Sequence, residues 1–261
     1  MALSTLAAST AGYYFNCNYA FTSRDIAAQL ANLPRDESSI TFKGCDLTTF
    51  DFGSLAEFKE LRDLFVDGGS LVEFRGMPYL PTLLHVSIYV ANFAKFWPPG
   101  LTPSLDLIYL ERLPNDMALD GVLNSIDSSY KGNLTFLWIR NTGATRVPLN
   151  IIQEFPNLYS FILNYNKNIR SLTTGSFPSR TNLIDLVLSH NNITIIEPGT
   201  FEGKFPWPYS VSEWWSSRLC RKDISAVKRF TFPTPVWPVW MKPSSDQSFD
   251  PWRPQTADLS I

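Results

Sequence analysis

Seven short apolar pairs recur along most of the chain, and their spacing constrains the fold more than any other feature. In each pair two apolar residues flank one intervening residue, and successive pairs stand 22 to 29 residues apart. Side chains alternate between the two faces of a strand, so each pair predicts a strand with two inward side chains. A unit of this size cannot bury its apolar edge alone, but stacked copies share one core. The pairs are Ile40/Phe42, Leu64/Val66, Val86/Ile88, Ile108/Leu110, Leu137/Ile139, Phe161/Leu163 and Leu186/Leu188.

The last two copies carry the clearest motif. "LYSFILNYNKNI" at 158–169 and "LIDLVLSHNNI" at 183–193 resemble the leucine-rich repeat L-x-x-L-x-L-x-x-N-x-L. The resemblance covers about residues 37–203. It implies an α/β repeat solenoid of about seven repeats, curved and right-handed, with a parallel concave sheet. "PGTF" at 198–201 resembles the extracellular animal type, and the overall architecture resembles arthropod secreted proteins similar to the non-catalytic subunit of shrimp luciferase.

The turn after each strand is less regular than the strand itself. In the leucine-rich-repeat family the motif asparagine bonds to backbone groups at this turn and stacks with its neighbours as a ladder. Gly, Ala and Leu cannot make those bonds, so we expect looser, solvated turns in the second to fourth repeats. The ladder position holds Cys45, Gly69, Ala91, Leu113, Thr142, Asn166 and Asn191.

The repeat of 29 residues departs from the others in two ways. Most copies carry another apolar residue five positions after the pair, but after Ile139 that residue is displaced to Val147. The same repeat contains "NSIDSSYKGN" at 124–133, whose Ser, Asp, Gly and Asn residues predict a loop.

Residues 1–36 are interpreted as an N-terminal segment and a helical cap. "SRDIAAQLANLP" at 23–34 predicts a helix with Ser23 as the N-cap and Pro34 as its end. A capping element is what the open end of a solenoid requires. The apolar face of this helix is Ile26, Leu30 and Leu33.

The composition changes sharply after the repeats. Residues 204–261 hold six of the eight Trp and eight Pro, and they carry eight Lys and Arg against five Asp and Glu. We interpret this stretch as a Trp/Pro-rich tail, mostly disordered or not homologous to the family. A docking segment is the alternative, in which case losing the tail would remove a partner while the fold remained.

Compartment signals are sparse. Cys17 and Cys45 are interpreted as unpaired thiols, with a bridge between them as the alternative, because sequence does not give their distance. The N-terminus contains an incomplete signal-like stretch with small residues at 9–11. Asn133 and Asn192 occupy glycosylation sequons on predicted turns. The expected location is extracellular, with cytoplasmic as the alternative.

No catalytic, cofactor-binding or metal-binding pattern accompanies the repeats, so we expect neither an enzyme nor a cofactor or metal. The two histidines, His85 and His190, are interpreted as surface and turn residues. The net charge of −2 argues neither for nor against any partner, and no basic run suggests a nucleic-acid partner. No apolar run is long enough for a membrane span.

The candidate site is the concave face, where outward side chains of neighbouring strands lie about 4.8 Å apart. Aromatic residues beside an arginine are typical of interface hot spots. We therefore expect a non-enzymatic protein-binding or scaffold module. The alternatives are an accessory subunit of a secreted, luciferase-like enzyme complex and a cytosolic adaptor. The expected partner-binding residues are Phe65, Tyr89, Tyr109, Glu111, Phe136, Trp138 and Arg140.

Overall fold

A computed structural model describes residues 12–17, 21–148, 153–177, 183 and 185–200. Within them, an eight-stranded parallel sheet has its strands side by side in chain order. Two further short strands, β8 (Ser171–Leu172) and β10 (Ile195–Ile196), pair with each other. The strands of the main sheet are β1 (Tyr13–Asn16), β2 (Ser39–Lys43), β3 (Asp63–Asp67), β4 (His85–Tyr89), β5 (Leu107–Glu111), β6 (Phe136–Arg140), β7 (Ser160–Asn164) and β9 (Asp185–Val187).

The strand register confirms the predicted repeat solenoid. The first residues of the seven apolar pairs are successive Cα partners from β2 to β9, so the pairs align across the sheet. Both members of every pair are buried, and all of them belong to one continuous core. The curved, right-handed α/β solenoid with a parallel concave sheet is therefore the fold of the repeat region.

The core position after Ile139 is filled in a way that the sequence pattern did not reveal. Ala144 stands five residues after Ile139 and is fully buried, and the displaced Val147 is buried as well. The register therefore does not slip in the longest repeat. A small alanine occupies the regular position, and the larger side chain packs three residues later.

The N-terminal region contributes a helix and an unpredicted strand. Helix α1 (Ser23–Leu30) begins after Thr22, which forms a capping box with Asp25; Thr22, and not Ser23, is therefore the N-cap. The predicted apolar face of α1 is buried in the common core. Strand β1 pairs in parallel with β2 and adds one strand before the first repeat.

Cys17 and Cys45 form a disulfide, so the interpretation as two unpaired thiols was wrong. Their Cα atoms are 4.9 Å apart, within the range that a disulfide spans. The backbone brings them together, because Cys17 directly follows β1 and its N–H donates to the carbonyl oxygen of Lys43. The parallel pairing of β1 with β2 thus sets the distance that sequence did not give.

The returns between strands are short helices or irregular turns. A 3-10 helix spans Phe52–Glu57, and helix α2 (Asp116–Asn124) begins after Asn115, which caps it. The predicted loop at 124–133 was wrong in part, because Ser128–Lys131 forms helix α3. Asp127 accepts from the backbone N–H of Ser129 and caps α3, while Tyr130 is buried. Polar residues that favoured a loop in the sequence thus include a helix cap in the structure.

A left-handed residue follows most of the strands, one position before the ladder. Arg112, Asn141, Tyr165 and His190 have φ between 47° and 70° although none is glycine. Gly44 and Gly68 take the same place in the first two repeats. This repeated conformation turns the chain from the sheet into its return.

The expectation of looser turns was wrong at Gly69. Its φ is +71°, and a Cβ there would lie 1.9 Å from the carbonyl oxygen of Cys45. The backbones of neighbouring repeats are thus in direct contact at this place. Near Ala91, the following residue Asn92 supplies the missing acceptor, to which the backbone N–H of Leu71 donates at 3.3 Å.

The predicted asparagine ladder is present in the last three repeats. Asn166 is fully buried, and its Oδ1 accepts from the backbone N–H and the hydroxyl of Thr142 at 2.8 and 2.7 Å. Its Nδ2 donates to the carbonyl oxygens of Ile139 and Asn164. Asn191 repeats the pattern, with its Oδ1 accepting from the backbone N–H of Asn166 at 2.8 Å.

The domain boundaries at 36 and 203 stay predictions. Residues 1–11 and the Trp/Pro-rich tail at 204–261 lie outside the described residues. Among the helices that the structure does describe, none is both long and apolar enough to cross a membrane.

Candidate functional site

The concave face carries a compact aromatic cluster separate from the main core. The ring centroids of Tyr89 and Tyr109 are 4.6 Å apart, and those of Tyr109 and Trp138 are 4.7 Å apart in an edge-to-face contact. Leu107 and Phe136 complete this cluster, which we call the concave cluster. It spans β4, β5 and β6, as the register of the outward residues predicts.

Tyr109 is the centre of the concave cluster and the donor to a buried carboxylate. Its hydroxyl donates to Glu111 Oε2 at 2.5 Å, and Glu111 Oε1 accepts from Asn141 Nδ2 at 3.4 Å. Burial raises the pKa of Tyr109 far above 10, and the nearby Tyr89 and Glu111 add to that effect. Burial likewise raises the pKa of Tyr89. Both phenols therefore stay protonated and serve as hydrogen-bond donors rather than as nucleophiles or bases.

Arg140 borders the concave cluster on the edge where the strands end. It stands opposite Glu111 in the register, and its guanidinium lies 4.7 Å from the ring centroid of Tyr165. Burial opposes its charge, but Tyr109 and Glu111 raise the pKa of Arg140 on balance. Tyr165 in turn stacks on His190 at 4.2 Å. Arg140, Tyr165 and His190 thus form a row of planar groups, which we call the edge stack.

Trp138 links the concave cluster to the next strand. Its indole N–H donates to Asn164 Oδ1 at 3.0 Å. Trp138 is half-buried, so part of the ring faces away from the sheet. A large, partly exposed ring that is held by a hydrogen bond and a ring contact has few rotamers to lose on binding, which favours contact with a partner.

The structure brings together most of the predicted site residues, but not all of them. Tyr89, Tyr109, Glu111, Phe136, Trp138 and Arg140 are neighbours. Phe65 lies on the same face but outside the concave cluster, because Ser87 stands between it and Tyr109 in the register. The sequence did not predict Tyr165 and His190 as part of the site. Both follow their strands, and both have the left-handed backbone conformation that accompanies their place in the edge stack.

The remaining singled-out residues are on the surface or half-buried. His85 is half-buried on the concave face, with its Nδ1 2.5 Å from Asp63 Oδ1. Asn133 and Asn192 are exposed. Asn133 Nδ2 donates to the carbonyl oxygen of Pro103, which leaves a second N–H on the same nitrogen. No group of side chains suited to hold a metal ion occurs in the part of the chain that the structure describes.

Burial of the outward side chains differs from strand to strand of the concave face. Lys43 on β2 has 47% of its side chain exposed, whereas Tyr109 on β5 and Ser160 on β7 are each 2% exposed. Val187 on β9 is also buried. Burial on this face is therefore greatest along β5, and the outward side chains of β6 are again half-buried.

Comparison with known proteins supports the fold and leaves the partner open. The leucine-rich repeat family model matches residues 156–203. The crystal structure of human 5T4 (Wnt-activated inhibitory factor 1, trophoblast glycoprotein) matches with a TM-score of 0.54 and 21% sequence identity. The match covers 65% of this chain and 65% of that chain, so this chain spans somewhat less than two-thirds of its length. No curated protein sequence matches this chain.

Two further structures are more distant. The TLR13–ssRNA13 complex matches with a TM-score of 0.37 and 18% identity, over 72% of this chain and 36% of that chain. InlP of Listeria monocytogenes matches with a TM-score of 0.34 and 15% identity, over 70% of this chain and 67% of that chain. Both scores are too low to bear on the function, whereas the family match and the 5T4 likeness agree on a repeat solenoid.

Proposed function

We propose that this leucine-rich-repeat protein is a non-enzymatic binding module that recognises a protein partner through its concave face. The observation that carries the proposal is the concave cluster, in which Tyr89, Tyr109 and Trp138 lie in ring contact on a regular sheet. Aromatic anchors held rigidly beside an arginine are the composition of protein-binding hot spots. The expectation of no nucleic-acid partner stays part of this proposal.

The charged side chains of the concave face indicate which kind of partner segment would fit it. Two carboxylates, Asp63 and Asp67, lie on β3 of the face, where Asp67 is 3.8 Å from Lys43. Arg140 at the other edge offers a planar cation that is already stacked on Tyr165. A partner segment with an apolar or aromatic centre and a basic end over β3 matches this arrangement.

Replacing Trp138 with serine is expected to weaken partner binding by about 2 kcal/mol, roughly thirtyfold in Kd, because a rigid aromatic anchor is lost. The partner is captured with the full chain from an extract of the source organism, and its Kd is then measured by calorimetry. Tyr79→Ser is the matched control, because Tyr79 is 58% exposed and lies outside the concave sheet. Equal Kd values for the two folded variants would refute the concave site.

We further infer that the protein works in an oxidising, extracellular compartment. The Cys17–Cys45 disulfide is the supporting observation, since such bonds persist outside the cytosol and are rare within it. Alkylation of the native protein without a reductant is expected to leave Cys17 and Cys45 unlabelled, and peptide mapping is expected to find them joined. Free thiols at both positions in protein purified from its source would favour the cytosolic alternative.

Glycosylation of Asn133 and Asn192 is a separate expectation of the same compartment. Both side chains are exposed. After a glycan is attached, the nitrogen of Asn133 still carries one N–H that can donate to the carbonyl oxygen of Pro103. Enzymatic deglycosylation of the secreted protein should shift its mass, and Asn133→Gln together with Asn192→Gln should abolish that shift. A secreted wild-type protein with the bare polypeptide mass would contradict this expectation.

A further inference from the structure

We propose that the edge stack binds a carboxylate of the protein partner, so that the partner segment crosses the sheet with an acidic side chain at Arg140 and a basic one over β3. The carboxylate belongs to an Asp or Glu side chain of the partner. This inference rests on the proposed function, because it assigns the chemistry of the partner and its direction on the same face.

The guanidinium of Arg140 has no carboxylate partner in the part of the chain that the structure describes. Glu111 stands opposite Arg140 in the register, but its Oε2 accepts from the hydroxyl of Tyr109 and its Oε1 from Asn141. Among the described residues, no carboxylate oxygen lies within 4.0 Å of the guanidinium nitrogens. The Nε of Arg140 is buried, and the same residues offer it no hydrogen-bond acceptor. A charged donor of this kind gains most from a carboxylate.

The stacked rings hold the guanidinium in place without using its donors. The Cζ of Arg140 lies 4.7 Å from the ring centroid of Tyr165, and Tyr165 stacks on His190 at an interplanar angle of 11°. The N–H groups of a guanidinium lie in its plane, so a ring over one of its faces takes none of them. Arg140 and Tyr165 are both half-buried, which leaves part of each side chain open to a partner. A planar cation held in this way binds a carboxylate through two parallel N–H···O bonds at little cost in side-chain entropy.

The edge beside the stack is free of acidic side chains at the positions where the described repeats leave the sheet. A partner carboxylate therefore meets no like charge there, whereas β3 presents Asp63 and Asp67. The opposite signs of the two regions favour one direction of the partner segment over the other. From β6 to β9, these positions hold Arg140, Asn141, Asn164, Tyr165, Ser189 and His190.

The sheet fixes the separation between the two charged regions. Asp67 and Arg140 occupy the same register position on β3 and β6, which are three strand spacings apart, roughly 14 Å. An extended segment covers that distance in about four residues, and a helix covers it in about ten. The basic and acidic residues of the partner are expected at one of these two spacings, with an apolar residue between them over the concave cluster.

Carbodiimide crosslinking to the captured partner tests the assigned contact. Arg140→Lys places an amine at the edge stack, and the carbodiimide joins an amine to a carboxylate that touches it. We expect an amide bond between position 140 and an Asp or Glu of the partner, located by peptide mapping. Arg62→Lys is the matched control, because Arg62 is exposed and precedes β3 at the opposite end of the strands. A complex without a link from position 140, a link only to this chain's own Glu111, or equal links from both positions would overturn the proposal.

Two variants of Tyr165 examine its role as a positioning residue. Tyr165→Leu removes the ring beside Arg140 but keeps the charge, and it is expected to raise the Kd of the partner roughly fivefold. Tyr165→Phe keeps the ring and the same left-handed backbone, so its Kd is expected to equal that of the wild type. Equal Kd values for the two variants would reject the part that stacking plays in holding Arg140.

The salt dependence of binding separates this proposal from the proposed function. Arg140→Gln is expected to raise the Kd roughly tenfold and to reduce its dependence on salt, because an ion pair with the partner is lost. Trp138→Ser is expected to raise the Kd without changing that dependence. If Arg140→Gln changed neither quantity while Trp138→Ser weakened binding, the carboxylate contact would be rejected and the proposed function retained. The reverse result would retain the contact and reject the concave cluster as the binding site.

Discussion

Replacing Gly69 with alanine is expected to lower the free energy of unfolding by about 4 kcal/mol. The new methyl group would lie 1.9 Å from the carbonyl oxygen of Cys45, and alanine would also have to adopt a φ of +71°. The contact is with backbone, and Cys45 is fixed both by its disulfide and by the hydrogen bond that its carbonyl oxygen accepts from Ser70. Neither partner has a rotamer by which to move away.

Gly68 provides a control at the adjacent position. Its φ is +72°, but a Cβ there would meet nothing closer than 3.9 Å. Gly68→Ala therefore isolates the cost of the left-handed conformation, about 1 kcal/mol. Urea denaturation of both variants measures the difference. Similar losses at the two glycines would show that close packing of neighbouring repeats at Gly69 does not limit stability.

The contrast between Gly68 and Gly69 shows which structural information the repeat spacing does not give. The repeat spacing predicted the strands, the register and the buried pairs, because alternation on a strand and stacking of copies leave few other solutions. At Gly69 the same pattern showed only that a ladder side chain is missing. The close approach of the two backbones depends on the path of the chain between repeats, which a spacing rule does not specify.

The candidate site was likewise predicted only in part. Tyr89, Tyr109 and Trp138 were predicted to be neighbours, since outward positions follow from the register once the inward pairs are known. The edge stack was not predicted, because Tyr165, which contacts Arg140, and His190, which stacks on Tyr165, both have positive φ values that are uncommon for such residues. Conformations of this kind are set by the tertiary structure rather than by local sequence.

Polar residues were the hardest to interpret. Asn115 and Asp127 occur in stretches that favour loops, yet each caps a helix. The same side-chain oxygen that stabilises a turn also accepts from a free N–H at a helix start. What decides between the two is the burial of neighbouring apolar residues, here Leu119 and Tyr130, against the common core.

Asn166→Ala is expected to lower the free energy of unfolding by about 3 kcal/mol, because it removes four hydrogen bonds from a fully buried site. The backbone N–H and hydroxyl of Thr142 lose their acceptor, and two carbonyl oxygens lose a donor. Asn168→Ala is the matched control. Asn168 is exposed and donates only a long bond of 3.4 Å to Gly143, so its loss should cost under about 0.5 kcal/mol.

Asn166→Asp separates the loss of the donors from the loss of the acceptor. The introduced carboxylate keeps an oxygen for Thr142 but faces the carbonyl oxygens of Ile139 and Asn164, so its folded-state pKa should be raised above the unfolded value. A raised pKa means that the folded state binds the proton more tightly, and stability relative to wild type falls as pH rises through the acidic range. Denaturation at pH 4 and pH 7 should therefore show the larger deficit at pH 7. A deficit independent of pH would mean that the two carbonyl oxygens find other donors, and that the ladder depends on its acceptor alone.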